Sequence, residues 1–418
     1  MAKDISKRFV VTFPLIVEKW QSDILEKRFR KGELLTNQLH RRMDARYREM
    51  IKTKKFRAIR QRYINLNKEL KAQEASKDRN KAEIKELKTE LKETGKMMSE
   101  IYKANHFTEF GFYSEMTQIY KSYNKWLDSS VSASLAQTLW TAYERFLYKD
   151  ARKINWKQYG SLNTLRARAN NCSIRYVDGY ITWKKLKMKV KVDQNNPYEV
   201  ECFQNEIAYS AIKRRIYKGR TRYYAQITFK GEPPAKYNKT TGEFTRVLGK
   251  GECVIKLLPQ SIIVIKDGKT TEFSLTVTSS DAEKRLNSVE FLMERSRRAN
   301  NPANYNEDGT VKSLKKDGRL CWHYSKRYNQ LKAQKRDINE KLKNARKNHH
   351  QILTNQLLRY GDSFTIITTE MKKEQSRDKG KKGKTIANAA PAMFKTMFIQ
   401  KVNQLGGVVV VQNTAVED

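Results

Sequence analysis

The residues able to do chemistry are few, and their spacing excludes most of what they could do. Four cysteines, Cys172, Cys202, Cys253 and Cys321, lie far apart and form no Cys-x-x-Cys pair. That spacing signals neither a zinc knuckle nor a disulfide framework, so reduced, buried cysteines in a cytoplasmic protein are expected. Of five histidines, the adjacent His349 and His350 have no acidic or cysteine partner at ligand distance along the chain, and read as part of a helix surface. The stretch "GECVIKLLPQSIIVIKDGKTTEFSLT", Gly251 to Thr276, reads as three consecutive short strands. It has a lysine, Lys256, in the middle of the first strand, and Asp267 before Gly268 reads as a hairpin-turn residue.

What the chain has in abundance is positive charge: 85 Lys+Arg against 45 Asp+Glu, a net charge of +40 and a pI near 9.9 over 418 residues. Spread along the whole length, this charge calls for a long polyanion rather than a single phosphate site, and nucleic acid is the expected partner. A membrane is not expected, because no apolar run reaches the roughly 18 residues needed to span one. The opening "MAKDISKRFVV" carries neither a signal peptide nor a lipidation motif. With 39% hydrophobic and 10% aromatic residues the chain can build cores, and its length calls for two or three domains.

The elements that must position these charges fall into three stretches. From about Trp20 to Phe146 the pattern is helical, and Ile64, Leu66, Leu70, Ile84, Leu87 and Leu91 mark a helical hairpin. Upstream, "RRMDARYREMIKTKKFRAIRQRY" contributes Arg42, Arg46, Lys54 and Arg57, a set suited to tracking a phosphate backbone. In the middle the period changes to two: "CSIRYVDGYITW", "KLKMKVKVD", "SAIKRRIYKG" and "TRYYAQITFKG", broken at Asp178-Gly179 and Lys218-Gly219, predict antiparallel strands of a sheet or small barrel. Such strands would display Arg214, Arg215, Arg220, Arg222 and Tyr223 as a basic platform. In the last stretch, after the three strands at 251–276, a charged helix and a turn-rich connection lead into a long helix. Tyr328, Leu331, Ile338, Leu342, Ala345 and Ile352 form its seam, and Lys335, Arg336, Lys343, Arg346 and Lys347 decorate its other faces. An apolar strand "SFTIIT", a basic loop "KKEQSRDKGKKGK", a short helix and a strand "GVVVVQ" complete the parts of an RNase H-like (RuvC-like) α/β domain.

Several of these segments resemble the TnpB family of transposon-encoded RNA-guided nucleases, compact relatives of type V CRISPR effectors. "SASLAQTLWTAYERFL" followed by "GSLNTLRARANNCSIRYVDGYITWKKLKMKVKV" looks like the family's Ser-x-x-Leu-Gln helix running into its binding barrel. "RRANNPANYNEDGTVK", "WHYSKRY" and "HHQILTNQLLRYGD" look like its N-P-x-N-x-x-x-x-G-T, W-x-x-S-x-x-Y and H-x-x-L-x-N-x-L-L-x-x-G-D motifs, in order. Laid on the family pattern, the metal-binding Asp of the first nuclease strand is Lys256. The second carboxylate position falls on Ile367, and Lys372 matches a family lysine. A slipped register would bring Glu370 close instead. The family's zinc segment and third Asp would follow "GGVVVVQNTAVED", where this sequence stops.

The resemblance implies an α+β multidomain protein. A wedge-like β-barrel would comprise 1–19 and 169–250, a helical recognition domain 20–168, and an inactive RuvC-like domain 251–418, with a helical insertion at about 282–360 and no zinc segment. It implies kinship with the TnpB-like nuclease-dead repressors (TldR), prokaryotic and nucleoid-associated. Such a protein carries a guide RNA, binds double-stranded target DNA, blocks transcription and does not cut. Ser132, Ser134, Gln137 and Thr138 would read the short motif beside the target, next to the basic residues named above. Neither catalytic magnesium nor zinc is expected, since an ammonium at a ligand position repels a divalent cation. Two alternatives stand beside this reading: an active nuclease with Glu370, Asp362 or Asp267 as substitute ligands, and a decayed remnant that binds nucleic acid without specificity.

Overall fold

The computed structural model describes residues 7–75, 80–148, 153–217, 220–236, 244, 246–277, 280–313, 320–368 and 388–413. The Lys218-Gly219 break, Glu370, Lys372, the basic loop at 372–384 and Asp418 lie outside the described residues. The protein is mixed α/β, with a curled antiparallel half-barrel and a separate mixed sheet. The chain divides into two compact units, Met1–Arg215 with Arg222–Gly231, and Ile216–Thr221 with Glu232–Asp418.

In the first unit, seven strands take the order β2-β6-β7-β1-β5-β4-β3. They are β1 (Arg8–Ile16), β2 (Thr164–Arg166), β3 (Arg175–Val177), β4 (Tyr180–Trp183), β5 (Leu186–Val190), β6 (Ile207–Tyr217) and β7 (Arg220–Lys230). The N-terminal strand is the splice: Arg8 to Pro14 pair with β7, while Leu15 and Ile16 pair with β5. This change of partner curls the sheet. Between β3 and β4, Asp178 and Gly179 both take positive φ, 48° and 83°, the geometry of the tight hairpin turn that an Asp-Gly pair predicts. The end strands β2 and β3 do not pair among the described residues, so the sheet is a half-barrel rather than the closed barrel named as one expectation.

Five helices accompany this sheet: α1 (Lys19–Lys52), α2 (Lys54–Ala75), α3 (Lys81–Ala104), α4 (Glu109–Tyr120) and α5 (Ser129–Tyr148), of which α1 and α5 meet it at β2; a short α6 (Pro197–Cys202) links β5 to β6. Their starts follow from capping chemistry. Glu18 and Gln21 form a capping box on α1, Asn80 accepts from the amides of Ala82 and Glu83 on α3, and Thr108 accepts from Gly111 on α4. Phe29, Leu39, Met43, Phe107, Phe112 and Tyr143 of the helical stretch share one core with Phe13, Ile227 and Phe229 of the sheet. The α2–α3 hairpin is thinner than its sequence implies. Of the six expected seam residues only Leu66 is buried, and the others are half-exposed. Two helices crowded with charge have little apolar surface to bury against each other.

The second unit holds a five-stranded sheet in the order β10-β9-β8-β11-β12. The predicted three-strand run appears as β8 (Glu252–Leu257), β9 (Ser261–Lys266) and β10 (Lys269–Ser274), antiparallel, with Asp267 and Gly268 at positive φ in the last turn. The strands β11 (Ser363–Thr368) and β12 (Val408–Asn413) extend it in parallel with β8. Alternation splits the sheet into two faces. Cys253, Ile255, Leu257, Ile262, Val264, Phe364 and Ile366 are buried with Leu353, Leu357 and Leu358 of α8 (Lys326–Leu358) and Phe394, Phe398 and Val402 of α9 (Pro391–Gln404).

Along α8, which pairs with α7 (Ser280–Asn300), the expected seam does not run the full length. Leu331 is buried and Tyr328, Ile338 and Leu342 are half-buried, but Ala345 is exposed and Ile352 is 61% exposed. The buried positions beyond it are His350, Leu353, Thr354, Leu357 and Leu358. The helix faces α7 over its first part and the sheet over its last turns, and the second contact uses a different side of the cylinder. Leu248 and Gly249, assigned with the barrel in the sequence reading, pack on this second core, and the Gly249 amide donates to the Leu358 carbonyl at 2.8 Å.

Candidate nucleic-acid interface

A cleft of roughly 900 Å³ in the first unit lies between α5 and the segment that leads into β2. One helix face supplies its floor: Ser134, Thr138, Thr141 and Arg145 recur at steps of four, three and four, with Gln137 alongside. The opposite wall brings Lys153, Asn155, Lys157, Asn163 and Arg166. Among the described residues the lining includes four basic side chains and no acidic one, a balance that favours anions.

The walls are held by groups that never reach the cleft. Asn37 of α1 makes a reciprocal amide pair with Lys157, accepting from its N–H at 2.9 Å and donating to its carbonyl at 2.8 Å. Glu33, buried beneath, accepts from the Leu162 amide at 3.1 Å, and Arg214 donates to the Leu162 carbonyl at 2.9 Å. On the cleft side, Arg166 donates to the Gln137 side-chain oxygen at 2.8 Å, which fixes the amide beside the guanidinium. Ser134 lines the cleft at 4% exposure, and its hydroxyl, like that of the buried Ser132 two residues earlier, has no hydrogen-bond partner among the described residues. Both oxygens are buried, so they are unsatisfied groups inside the helix packing rather than contacts offered to solvent.

Of the motif-reading set, the structure gathers Ser134, Gln137 and Thr138 in this cleft, while Ser132 is buried behind it. Arg145, Lys153, Lys157 and Arg166 were not singled out from the sequence. Arg145 was findable, because it continues the spacing of Ser134, Thr138 and Thr141, whereas the lysines sit in an irregular segment with no period to follow.

The remaining basic candidates separate into surface and structure. Arg42 and Arg46 both donate to Glu115, and these bonds outweigh its burial and hold the carboxyl below its ordinary range. Lys54 and Arg57 are exposed at the start of α2, and Arg220, Arg222 and Arg215 are exposed on their strands, with Arg215 over the ring of Tyr224 at 5.3 Å. Arg214 and Tyr223, expected on the same platform, face the other way. Arg214 is 5% exposed and bridges Glu26 at 2.6 Å and Glu33 at 3.1 Å, and the Tyr223 hydroxyl donates to Glu26 at 2.7 Å. This is a correction with a simple cause: neighbouring residues of a strand point to opposite faces, so Arg214 and Arg215 cannot share one. On α8, Lys335 pairs with Glu290 at 2.8 Å, Arg336 and Lys347 are exposed, and Arg346 is half-buried, which lowers its pKa.

In the second unit Lys256 and Ile367 are direct partners in the parallel β8–β11 ladder, flanked by Ile263 on β9 and Gln412 on β12. This row lies on the face opposite the helices, with Lys256 and Gln412 exposed. An ammonium, two alkyl groups and an amide do not fit divalent cations, which require anionic oxygens. Asp362 precedes Ile367 by five strand positions, about 16 Å along the chain, and its carboxylate accepts from the Gly251 amide at 3.1 Å. Asp267 sits in the β9–β10 turn, four positions beyond Ile263, about 13 Å away. Among the described residues no three His, Cys, Asp or Glu side chains converge, and no described helix is long and apolar enough to cross a membrane. No protein-family model matches the chain, and no curated protein matches it.

Proposed function

We propose that this protein is an RNA-guided, sequence-specific DNA-binding protein without nuclease activity, a TnpB-like nuclease-dead repressor that occupies promoter DNA beside a short adjacent motif. The observation that carries the reading is the pairing of Lys256 with Ile367. The two positions that the family resemblance aligns with metal-holding carboxylates are adjacent in space, on the ends of neighbouring parallel strands, and neither is a carboxylate. The parallel placement of β11 beside β8, with β9 and β10 antiparallel on the other side, supports assigning the second unit to the RNase H-like class.

On this reading the cleft against α5 takes the edge of the adjacent-motif duplex. Gln137 and Thr138 offer hydrogen bonds to base edges, and Arg145, Lys153, Lys157 and Arg166 engage phosphates. The exposed Arg215, Arg220, Arg222, Arg336 and Lys347 hold guide RNA and heteroduplex by charge and shape, while base pairing supplies the sequence. Guide RNA is then the one stable component beyond the chain, target duplex is the partner, and repression follows from blocking polymerase. Purification from the native host with sequencing of the bound RNA, followed by binding to matched and mismatched duplex at equal salt, tests this reading. A discrete RNA and a strong preference for the match are expected; a random RNA population with equal binding overturns the proposal.

A further inference from the structure

The connection between α7 and α8 is long and irregular, yet its described residues are bound into one rigid cap. The Asn301 side chain donates to the carbonyls of Arg297 and His323 and accepts from the His323 amide at 2.6 Å. Asn304 donates to the Cys321 carbonyl at 2.6 Å, and the hydroxyls of Ser296 and Ser325 bond across the two helices at 3.0 Å. Beneath lies a layer of guanidinium and rings: Arg297 sits over Trp322 at 4.9 Å and Tyr305 at 5.8 Å, and Arg298 over Tyr305 at 5.4 Å. Glu294 accepts from Arg297, Arg298 and the Tyr305 hydroxyl, and these bonds, against its partial burial, keep its carboxyl below the ordinary range.

On top of this layer an aromatic pair is left at the surface. Tyr324 and Tyr328 stack with centroids 4.5 Å apart and planes 20° apart, and Tyr324 remains 48% exposed. The stacking itself contributes to stability, and close to half of Tyr324 still faces water, open to a further flat partner. The surroundings are basic: Lys326 and Arg327 are exposed at the start of α8, and Lys332 and Arg336 follow Tyr328 at successive steps of four along the same face. A polyanion with flat aromatic units fits both features at once. Duplex nucleic acid hides its base faces, whereas an unpaired segment offers them.

We infer that the cap at the α7–α8 junction is a stacking platform for unpaired nucleotides, with Tyr324 extending a base stack begun on Tyr328 and Lys332 and Arg336 following the attached phosphates. The inference rests on the proposed role in nucleic-acid binding but not on guidance or on the loss of cleavage. It is tested with full-length protein freed of RNA by nuclease and high salt, using labelled oligo-U and oligo-dT of about twelve nucleotides and a duplex of equal length. Tyr324→Ala should weaken single-strand binding by about five- to thirty-fold with the salt dependence unchanged, the signature of lost stacking rather than lost charge. Tyr324→Phe should bind as the parent does, and duplex affinity should be equal in all three proteins. Single-strand affinity within two-fold of the parent, or an equal loss on duplex, overturns the platform. Because Tyr324 is at the surface, matching thermal unfolding curves will show that Tyr324→Ala is folded. Should no discrete RNA accompany the native protein, guidance fails while this titration still decides the platform.

Discussion

At the scale of single residues, two adjacent arginines separate structure from function. Removing Arg214 leaves Glu33, 1% exposed, with Arg30 at 3.3 Å as its remaining cation, strips Glu26 of its guanidinium partner and loosens the Leu162 wall of the cleft. Breaking a buried pair from one side costs about 3–5 kcal/mol. Arg214→Ala is therefore expected to lower stability by that amount in denaturant titration, while Arg215→Ala stays within about 0.5 kcal/mol of the parent. Arg215→Ala and Arg145→Ala should each weaken nucleic-acid binding across sequences and reduce the slope of log affinity against log salt by about 1. His350 supplies a pH dependence. It is fully buried, and burial chiefly, with smaller repulsion from His349 and Arg346 and against hydrogen bonding to the Leu275 and Ala389 backbones, lowers its pKa below 6.5. A histidine held neutral in the fold contributes stability that is complete above its unfolded pKa and is lost as pH falls through the folded one. Unfolding free energies should therefore fall more steeply between pH 7 and 5 for the parent than for His350→Leu; parallel curves would show that His350 is not the group responsible.

At the scale of elements, close backbone approaches mark where the chain cannot accept even a methyl group. A Cβ on Gly249 would stand 2.1 Å from the Arg359 carbonyl oxygen, and one on Gly361 would stand 2.4 Å from that of Gly251. Both contacts fasten the entrance of β8 to the end of α8, so Gly249→Ala should destabilise the protein by about 2–3 kcal/mol, read as a lower denaturant midpoint. Periodicity made most of these elements legible in advance: the strands at 252–274, their Asp-Gly turn and the long α8 follow from alternation, turn chemistry and a 3.6-residue repeat. The change of buried face after Ala345 was not legible, since the sequence does not record that α8 meets α7 first and the sheet later. Nor was the inward direction of Arg214 and Tyr223, because an arginine in an alternating strand looks the same whether it meets solvent or a buried glutamate. The cleft was legible on its helical floor and opaque on its irregular wall, which is positioned by Asn37 and Glu33 from more than a hundred residues away.

At the scale of the whole molecule, a net charge of +40 favours polyanions whatever their sequence, so affinity alone would say little about the proposed function. What distinguishes the proposed repressor is discrimination without cutting. The Lys256–Ile367 row carries the second half of that statement, and Lys256→Asp alone should leave the protein unable to cleave, because Ile367 and Gln412 still provide no anionic oxygen. The most direct measurement combines both halves: the protein with its co-purified RNA is incubated with matched and mismatched duplex in magnesium, and binding and strand integrity are followed in the same samples. The account predicts retention of matched DNA far above mismatched DNA at equal salt, with every strand intact. Cleavage of the matched duplex, or equal retention of the two, would contradict it.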